Sequence, residues 1–224
     1  MGSDTTNKKK IIIISIITLI ILIITIPICI YEYNIHKKNN DKILFLGDSI
    51  TERYDLKKYF PNHNVINSGI GGNLTADILN DLDNRVYKYK PDKVFILIGT
   101  NDIIYSDLSD KEIANNIELI VTNIKKELPK TKIYVESIYP VNYKKNNKVY
   151  NNALLTKDNN KRIKKINKLI QKICAKNKCT YIDMYDSLEI FNDTLFKYYT
   201  TDGLHINRVG YRLITIKLFK YINE

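Results

Sequence analysis

The stretch ILFLGDSITE, residues 43–52, changes abruptly from an apolar run to Gly47, Asp48 and Ser49. The chain has only 8 glycines among its 224 residues, so the position of one beside an acid and a hydroxyl needs an explanation. A serine hydroxyl is a weak nucleophile at neutral pH, and it becomes reactive when a histidine that is oriented by a carboxylate accepts its proton. Ser49 is therefore a candidate nucleophile, provided that the chain supplies such a base.

One of the three histidines is well placed to be that base. His36 lies in a polar stretch near the N-terminus, and His63 precedes the second predicted strand, at the wrong end of a parallel sheet. His205 stands in the segment DGLHINRVGY, and Asp202 lies three residues before it. A carboxylate at that spacing can hold the imidazole ring within one turn and stabilise its protonated form. We predict Ser49, His205 and Asp202 as catalytic residues.

An acyl-transfer centre also needs hydrogen-bond donors for the oxyanion that forms on the substrate. The candidates are the backbone N–H of Ser49 at a predicted helix start, the backbone N–H of Gly72, and the side-chain amide of Asn101. Each of these positions, taken alone, is more often a capping or turn residue. Together, and at the same edge of the predicted sheet, they predict an oxyanion hole.

Short apolar runs alternate with helical periodicity along residues 42–224. The runs KILFLG, NVINSG, KVFILIG, KIYVESIYP and TYIDMY predict strands that are covered on both faces, as parallel strands are. The alternation predicts an α/β fold, a doubly wound sandwich around a parallel sheet. Ligands bind beyond the carboxyl ends of such strands, where the predicted site residues would meet. The predicted helices are Thr75–Lys88, Asp110–Leu128, Asn159–Lys176 and Asn207–Ile222.

Other types of site fit the spacing poorly. A dinucleotide-binding loop needs G-x-G-x-x-G, but the stretch GIGGNL has Leu74 in place of the third glycine. The G-x-S-x-G elbow of α/β-hydrolases would need a glycine where Thr51 stands. The three cysteines do not cluster with enough further ligands for a zinc site. Cys174 and Cys179 are compatible with a small disulfide loop and equally with two ordinary thiols.

The N-terminal residues differ in character from the rest. Residues 11–30 carry no charge, and a helix over them, at about 1.5 Å per residue, would span about 30 Å, the thickness of a bilayer core. A cleaved signal peptide is the alternative, but its apolar part is usually about 7–15 residues long and small residues follow it. Three lysines at 8–10 favour a cytoplasmic N-terminus and an extracellular domain at the cell membrane. The predicted division is 1–10 cytoplasmic, 11–30 transmembrane anchor, 31–41 linker and 42–224 catalytic domain.

The formal charge of +11 narrows the choice of partners. Residues 1–40 hold five lysines against two acids, so the remaining chain carries +8. Such a domain would be attracted to anionic lipid headgroups or wall polymers. The chain has no basic run with interleaved aromatics, so nucleic acid is not expected as a partner. Most of the charge is interpreted as solvated surface, and the sequence gives no indication of oligomeric state.

Four blocks of the chain resemble the motifs of the SGNH (GDSL-type) hydrolase family. GDSIT resembles the first block and contains Ser49, and NSGIGGN resembles the second and contains Gly72. GTND resembles the third block and contains Asn101, and DGLHINRVGY resembles the last and contains Asp202 and His205. The resemblance runs from about residue 42 to the C-terminus. Any one block is weak evidence, but the four in this order are highly specific.

The resemblance implies a flavodoxin-like five-stranded sandwich, a serine esterase activity, and no metal or organic cofactor. It also implies the same roles for the five residues that the chemistry selected. Two positions depart from the family pattern: Ile50 replaces the usual leucine, and Asn73 stands where aspartate is common. The second departure removes a negative charge beside the glycine of the oxyanion hole.

Taken together, the sequence predicts a membrane-anchored serine esterase. The substrate classes that remain open are lysophospholipids and O-acetylated glycans. An acyltransferase to a surface glycan would use the same residues, and a non-catalytic module that binds lipid or carbohydrate is the alternative from another class. The polar stretch 141–156 predicts a loop over one end of the sheet, which either shapes substrate acceptance or is a solvated insertion.

Overall fold

The computed structural model contains one mixed α/β domain built on a five-stranded sheet. All neighbouring strands pair in parallel, and their spatial order is β2-β1-β3-β4-β5. The strands are β1 (Asn39–Gly47), β2 (His63–Gly69), β3 (Lys93–Leu97), β4 (Lys132–Glu136) and β5 (Thr180–Ile182). The structure describes residues 12–23, 25, 26, 28, 29, 39–144, 154–189 and 193–224.

The predicted α/β architecture with a five-stranded parallel sheet is confirmed. Each strand coincides with one of the apolar runs, and every residue of β3 is buried, as expected for a central strand covered on both faces. Strand β1 begins at Asn39, within the segment predicted as a linker. The greater part of the predicted loop 141–156, residues 145–153, lies outside the described residues.

Helices cover both faces of the sheet. Three of the four predicted helices are present with ends shifted by one or two residues, and a short helix begins at Ser49, where a helix start was predicted. Three further short helices were not predicted. The helices are α1 (Ser49–Glu52), α2 (Leu56–Tyr59), α3 (Thr75–Asn80), α4 (Leu82–Arg85), α5 (Thr100–Tyr105), α6 (Asp110–Glu127), α7 (Lys157–Asn177), α8 (Tyr185–Leu188) and α9 (Arg208–Ile222).

The predicted single helix over 75–88 is wrong. The chain leaves helical geometry at Asp81, where φ is −136° and ψ is 29°, and again at Val86. Two short helices, α3 and α4, and a 3₁₀ turn at Tyr87–Tyr89 take its place. Arg85 and Val86, at the end of α4, are both buried.

The core is divided by the sheet into two layers of different character. On one side, aliphatic residues of β1 and β3 pack against the isoleucines of α6 and α7. On the other side the core is largely aromatic: the Phe95 ring stacks between Phe45, at 4.9 Å, and Tyr134, at 4.6 Å. Successive residues of a strand point to opposite faces, so each strand supplies both layers.

The predicted transmembrane helix over 11–30 is not found. Helical geometry is described at 12–23, 25, 26, 28 and 29, and residues 11, 24, 27 and 30 lie outside the described residues. Across the described ranges, none of the helices combines the length and the apolar character that crossing a membrane requires. The predicted cytoplasmic segment 1–10 lies outside the described residues, and the extracellular location of the domain stays a prediction.

Cys174 and Cys179, for which the sequence left two states open, are both free thiols. Cys174 is buried near the end of α7, and Cys179 is partly exposed just before β5. The backbone N–H of Cys179 donates to the carbonyl of Cys174 at 3.0 Å, which ends the helix.

Glu136, at the end of β4, is 3% exposed and accepts a hydrogen bond from the Tyr139 hydroxyl at 2.5 Å. Burial is the main cause that raises the pKa of Glu136 to about 7, against an ordinary value of 4.5, and the Tyr139 hydrogen bond opposes it. The folded state therefore disfavours the ionised carboxylate. Because the unfolded chain loses this proton at lower pH, ionisation of Glu136 decreases the free energy of unfolding as the pH rises from 4.5 to about 7.

We expect Glu136→Gln to remove this pH dependence. The difference in free energy of unfolding, variant minus wild type, should increase by up to about 3 kcal/mol between pH 4.5 and pH 8. Urea denaturation of both proteins over this pH range measures it, and other titrating groups cancel in the difference. Parallel stability curves for the two proteins would contradict the assignment.

Candidate active site

Strand β1 ends at Gly47, a position at which no larger residue fits. A Cβ atom on Gly47 would lie 2.2 Å from Thr51 Oγ1 and 2.3 Å from the carbonyl oxygen of Leu97. Both distances are far below van der Waals contact. The glycine thus lets α1 begin directly above the sheet, with Ser49 as its first residue.

Asp48, between the strand and the helix, is the N-cap of α1. Its Oδ1 accepts the backbone N–H of Ile50 at 2.9 Å, and the side chain is 1% exposed. Burial raises the pKa of Asp48 to about 6, although the Ile50 N–H and the His205 ring oppose the shift. By accepting the Ile50 N–H, the Asp48 carboxyl stabilises the turn that presents Ser49.

The structure brings together three residues that are distant in sequence. Ser49 Oγ lies 3.0 Å from His205 Nε2, and His205 Nδ1 lies 2.6 Å from Asp202 Oδ2. Ser49 and His205 are separated by 156 positions along the chain. A proton on Nδ1, held by the carboxylate, leaves Nε2 free to accept a proton from the serine hydroxyl. This arrangement can activate a hydroxyl nucleophile.

Asp202 is held by the same turn that carries His205. Its Oδ1 accepts the backbone N–H of Leu204 at 2.9 Å and that of His205 at 2.8 Å. Burial acts to raise the pKa of Asp202, but the hydrogen bonds from the His205 ring and from these two N–H groups outweigh it and hold the pKa well below its ordinary value. Asp202 is consequently ionised at neutral pH and can stabilise an imidazolium.

Gly72 lies in the loop that follows β2, and Asn101 is the second residue of α5, the helix that follows β3. Gly72 is exposed and has a φ of +79°, a conformation that favours glycine. The Asn101 side chain is 4% exposed, and its Nδ2 donates to the carbonyl of Asn73 at 3.0 Å. That bond uses one of two amide hydrogens and fixes the orientation of the side chain next to the Gly72 loop.

Asp102 and Thr75 support this loop and were not singled out from the sequence. Both oxygens of Asp102 accept the backbone N–H of Thr75, at 3.1 and 3.0 Å, and Oδ1 also accepts the Thr75 hydroxyl at 2.5 Å. Asn116 Nδ2 donates to the same hydroxyl at 2.9 Å. Asp102 is the last residue of the GTND motif, so this motif contained the information needed to predict its role. Its contacts anchor the start of α3, three residues after Gly72.

His63, which sequence reasoning set aside, begins β2 and so lies at the opposite end of the strand from the site. Its Nε2 lies 3.3 Å from Asn223 Oδ1 near the C-terminus. Within the part of the chain that the structure describes, no group of three or more His, Cys, Asp or Glu side chains is arranged to hold a metal ion.

A family model described as "GDSL-like Lipase/Acylhydrolase family" matches residues 45–213. The matched span is more than half of the chain and contains Ser49, Gly72, Asn101, Asp202 and His205. The chain belongs to the GDSL-like lipase/acylhydrolase family. The family resemblance inferred from the four motifs is thereby confirmed, and the protein is a carboxylic ester hydrolase of this family.

Solved structures agree with the family assignment. A Streptococcus pneumoniae protein described as a platelet activating factor is 33% identical, with a TM-score of 0.74 over 88% of this chain and 91% of that chain. The lipase/acylhydrolase from Enterococcus faecalis is 25% identical, with a TM-score of 0.65 over 81% of this chain and 95% of that one.

A longer protein also contains a region similar to this GDSL-like acylhydrolase. The N-acylneuraminate cytidylyltransferase of Escherichia coli O18:K1:H7 is 28% identical over 201 residues, which are 81% of this chain. The match spans only 42% of the length of that relative, so the activity named for the whole relative is not transferred to this acylhydrolase.

Two glycines of the acylhydrolase test different constraints at the site. A Cβ on Gly69 would lie 2.1 Å from the backbone nitrogen of Glu52, whereas a Cβ on Gly72 would have no atom within 4 Å. We expect Gly69→Ala to destabilise the fold by about 3 kcal/mol, because α1 must move. Gly72→Ala should cost only about 1–2 kcal/mol, the strain of a positive φ. Urea unfolding compares the two, and a larger loss for Gly72→Ala would refute the explanation.

Proposed function

We propose that the protein hydrolyses carboxylic esters through an acyl-enzyme formed on Ser49. The observation that carries the proposal is the continuous series of contacts from the Ser49 hydroxyl through the His205 ring to the Asp202 carboxylate, at 3.0 and 2.6 Å. Serine supplies the nucleophile, histidine the general base, and aspartate the group that orients and stabilises the imidazolium. Family membership supports the reaction class.

The proposed reaction has two halves with the same proton carrier. Ser49 Oγ forms a bond to the ester carbonyl carbon while His205 Nε2 accepts the hydroxyl proton. When the bond to the alcohol breaks, His205 returns the proton to the leaving oxygen. Water then attacks the acyl-enzyme, again giving a proton to His205, and the carboxylic acid leaves as Ser49 Oγ regains its hydrogen.

The oxyanion in this proposal is bound by three donors from three segments of the chain. The Ser49 backbone N–H lies at the start of α1, and the Gly72 N–H lies in an exposed turn. The second hydrogen of Asn101 Nδ2 is the third donor, since the first is used by the Asn73 carbonyl. Donors that are fixed before the charge develops stabilise the transition state without reorganisation.

Two classes of ester fit the proposal, lysophospholipids and O-acetylated glycans. Their products differ, because the first class releases a fatty acid and the second releases acetate. A panel that contains a lysophospholipid, an acetylated oligosaccharide and 4-nitrophenyl esters of graded acyl length separates the two classes.

We expect a fluorophosphonate probe to label the wild-type protein covalently and Ser49→Ala not to be labelled. The variant should also lose nearly all ester hydrolysis, because no other hydroxyl lies against His205 Nε2 within the described residues. Ser187→Ala is the matched control, since this hydroxyl pairs with Lys217 and should keep full labelling. Labelling that persists in Ser49→Ala would overturn the assignment of the nucleophile.

We expect Asp202→Asn to lower kcat by about a thousand- to ten-thousandfold while the protein stays folded. Asn Oδ1 can still accept the Leu204 and His205 N–H groups, but its NH₂ would face His205 Nδ1. The ring would then carry its proton on Nε2 and could not accept one from Ser49. Steady-state kinetics of this variant and of exposed Asp186→Asn as a control measure the effect. Activity within tenfold of wild type would contradict the role of Asp202.

A further inference from the structure

Arg85, the last residue of α4, is a buried cation in the rim of the site. Its side chain is 4% exposed, and its guanidinium donates only to uncharged oxygens among the described residues. Burial lowers the pKa of Arg85, although Asp81 and Asp77 oppose that shift from a distance. A cation without a carboxylate partner in contact is a costly group to bury. Its contacts therefore merit a structural or functional explanation.

The guanidinium binds four acceptors on three segments. Nη2 donates to the carbonyl oxygen of Gly47 at 3.0 Å and also to that of Ser68. Nε donates to Ser68 Oγ at 3.1 Å, and Nη1 donates to Asn73 Oδ1. In return, Ser68 Oγ donates to the Arg85 carbonyl at 2.8 Å. One planar side chain thus joins the end of β1, the end of β2 and the loop that follows β2.

Two of these segments adjoin or contain proposed oxyanion donors, and the third donor, Asn101, bonds to one of them. Gly47 lies two residues before Ser49, and Asn73 directly follows Gly72. The Asn73 carbonyl also accepts the Asn101 amide at 3.0 Å, so the position of the Asn73 backbone determines where Asn101 points. All three donors are consequently linked to Arg85. Ser49 and Gly72 are linked through a short stretch of backbone, and Asn101 is linked through Asn73.

We propose that Arg85 is the positioning residue of the oxyanion hole, holding the Ser49 turn and the Gly72–Asn73 loop at a fixed separation. The inference rests on the proposed function of Ser49. Arg85 does not contact substrate in this proposal, and it acts through Gly47, Ser68 and Asn73. A lysine cannot replace it, because one ammonium nitrogen on a flexible stem does not reproduce a rigid fork with donors in three directions. Donors displaced by about 1 Å lose a large part of their catalytic effect.

The test measures kcat for each active site rather than for each milligram of protein. The concentration of competent sites is found by labelling to completion with a fluorophosphonate, and hydrolysis of 4-nitrophenyl acetate is then measured. We expect Arg85→Lys to lower kcat per labelled site by about a hundredfold with KM changed little. Asn73→Ala, which removes one of the four contacts in a partly exposed loop, should lower it by about tenfold and remains informative if Arg85→Lys fails to fold.

Lys93→Met is the matched control, because Lys93 is a second buried cation far from the site. It is 1% exposed at the start of β3, where Nζ donates to the Ile222 carbonyl at 2.7 Å and pairs with Asp41 at 2.9 Å. This variant should lower the urea midpoint without changing kcat per labelled site.

The possible results separate the two proposals. In one outcome, wild type is labelled at Ser49 and hydrolyses the ester, but Arg85→Lys and Asn73→Ala keep kcat per labelled site and lose only stability. Arg85 is then a structural residue, and the inference about Arg85 fails while the proposed function stands. If wild type is neither labelled nor active, the proposed function fails and the inference fails with it. A kcat loss that Lys93→Met shares equally also overturns the inference.

Discussion

The register of three parallel strands is the constraint on which the site depends. Gly47 at the end of β1 pairs with Gly69 at the end of β2 on one side and with Leu97 at the end of β3 on the other. Because the strands are parallel and end level, three loops leave the sheet at the same height and on the same edge. A slip by one residue would exchange the two faces of a strand and displace its loop. The apolar core on both faces therefore fixes the position of the proposed catalytic groups.

Several polar groups are buried together at this edge of the sheet. Asp48, Ser68, Asn101 and Asp102 are each at most 8% exposed and hydrogen-bonded. Asp48 accepts from Ile50 in its own turn, and the other three have partners on another segment. An isolated polar group at such a depth would cost several kcal/mol, so the partners must be in place together. This edge of the sheet is thus made rigid by hydrogen bonds among its buried polar groups. In the layers below, rigidity arises from packing of aliphatic and aromatic side chains.

The sequence was most informative where chemistry and backbone geometry coincide. The strands could be predicted because each contains a short apolar run, and the candidate site because glycine, serine, asparagine and aspartate follow those runs. The break in the helix at Asp81 could not be predicted, because an arginine such as Arg85 in a helical pattern is normally interpreted as a solvated side chain. Only the fold brings Arg85 to Gly47, which is 38 positions away. The prediction of a transmembrane helix at the N-terminus failed for another reason. A run that is apolar on all sides has no periodicity and no capping residue from which the ends of a helix can be predicted.

The turn that carries Asp202 and His205 is a single local unit. It is closed by an antiparallel bridge between Thr200 and Ile206 and by the backbone hydrogen bonds to Asp202, and it leads directly into α9. The proton acceptor and its counter-ion therefore cannot be lost separately. An opening confined to this turn would therefore displace the proposed base and its counter-ion together, in one event, while the sheet and Ser49 keep their places.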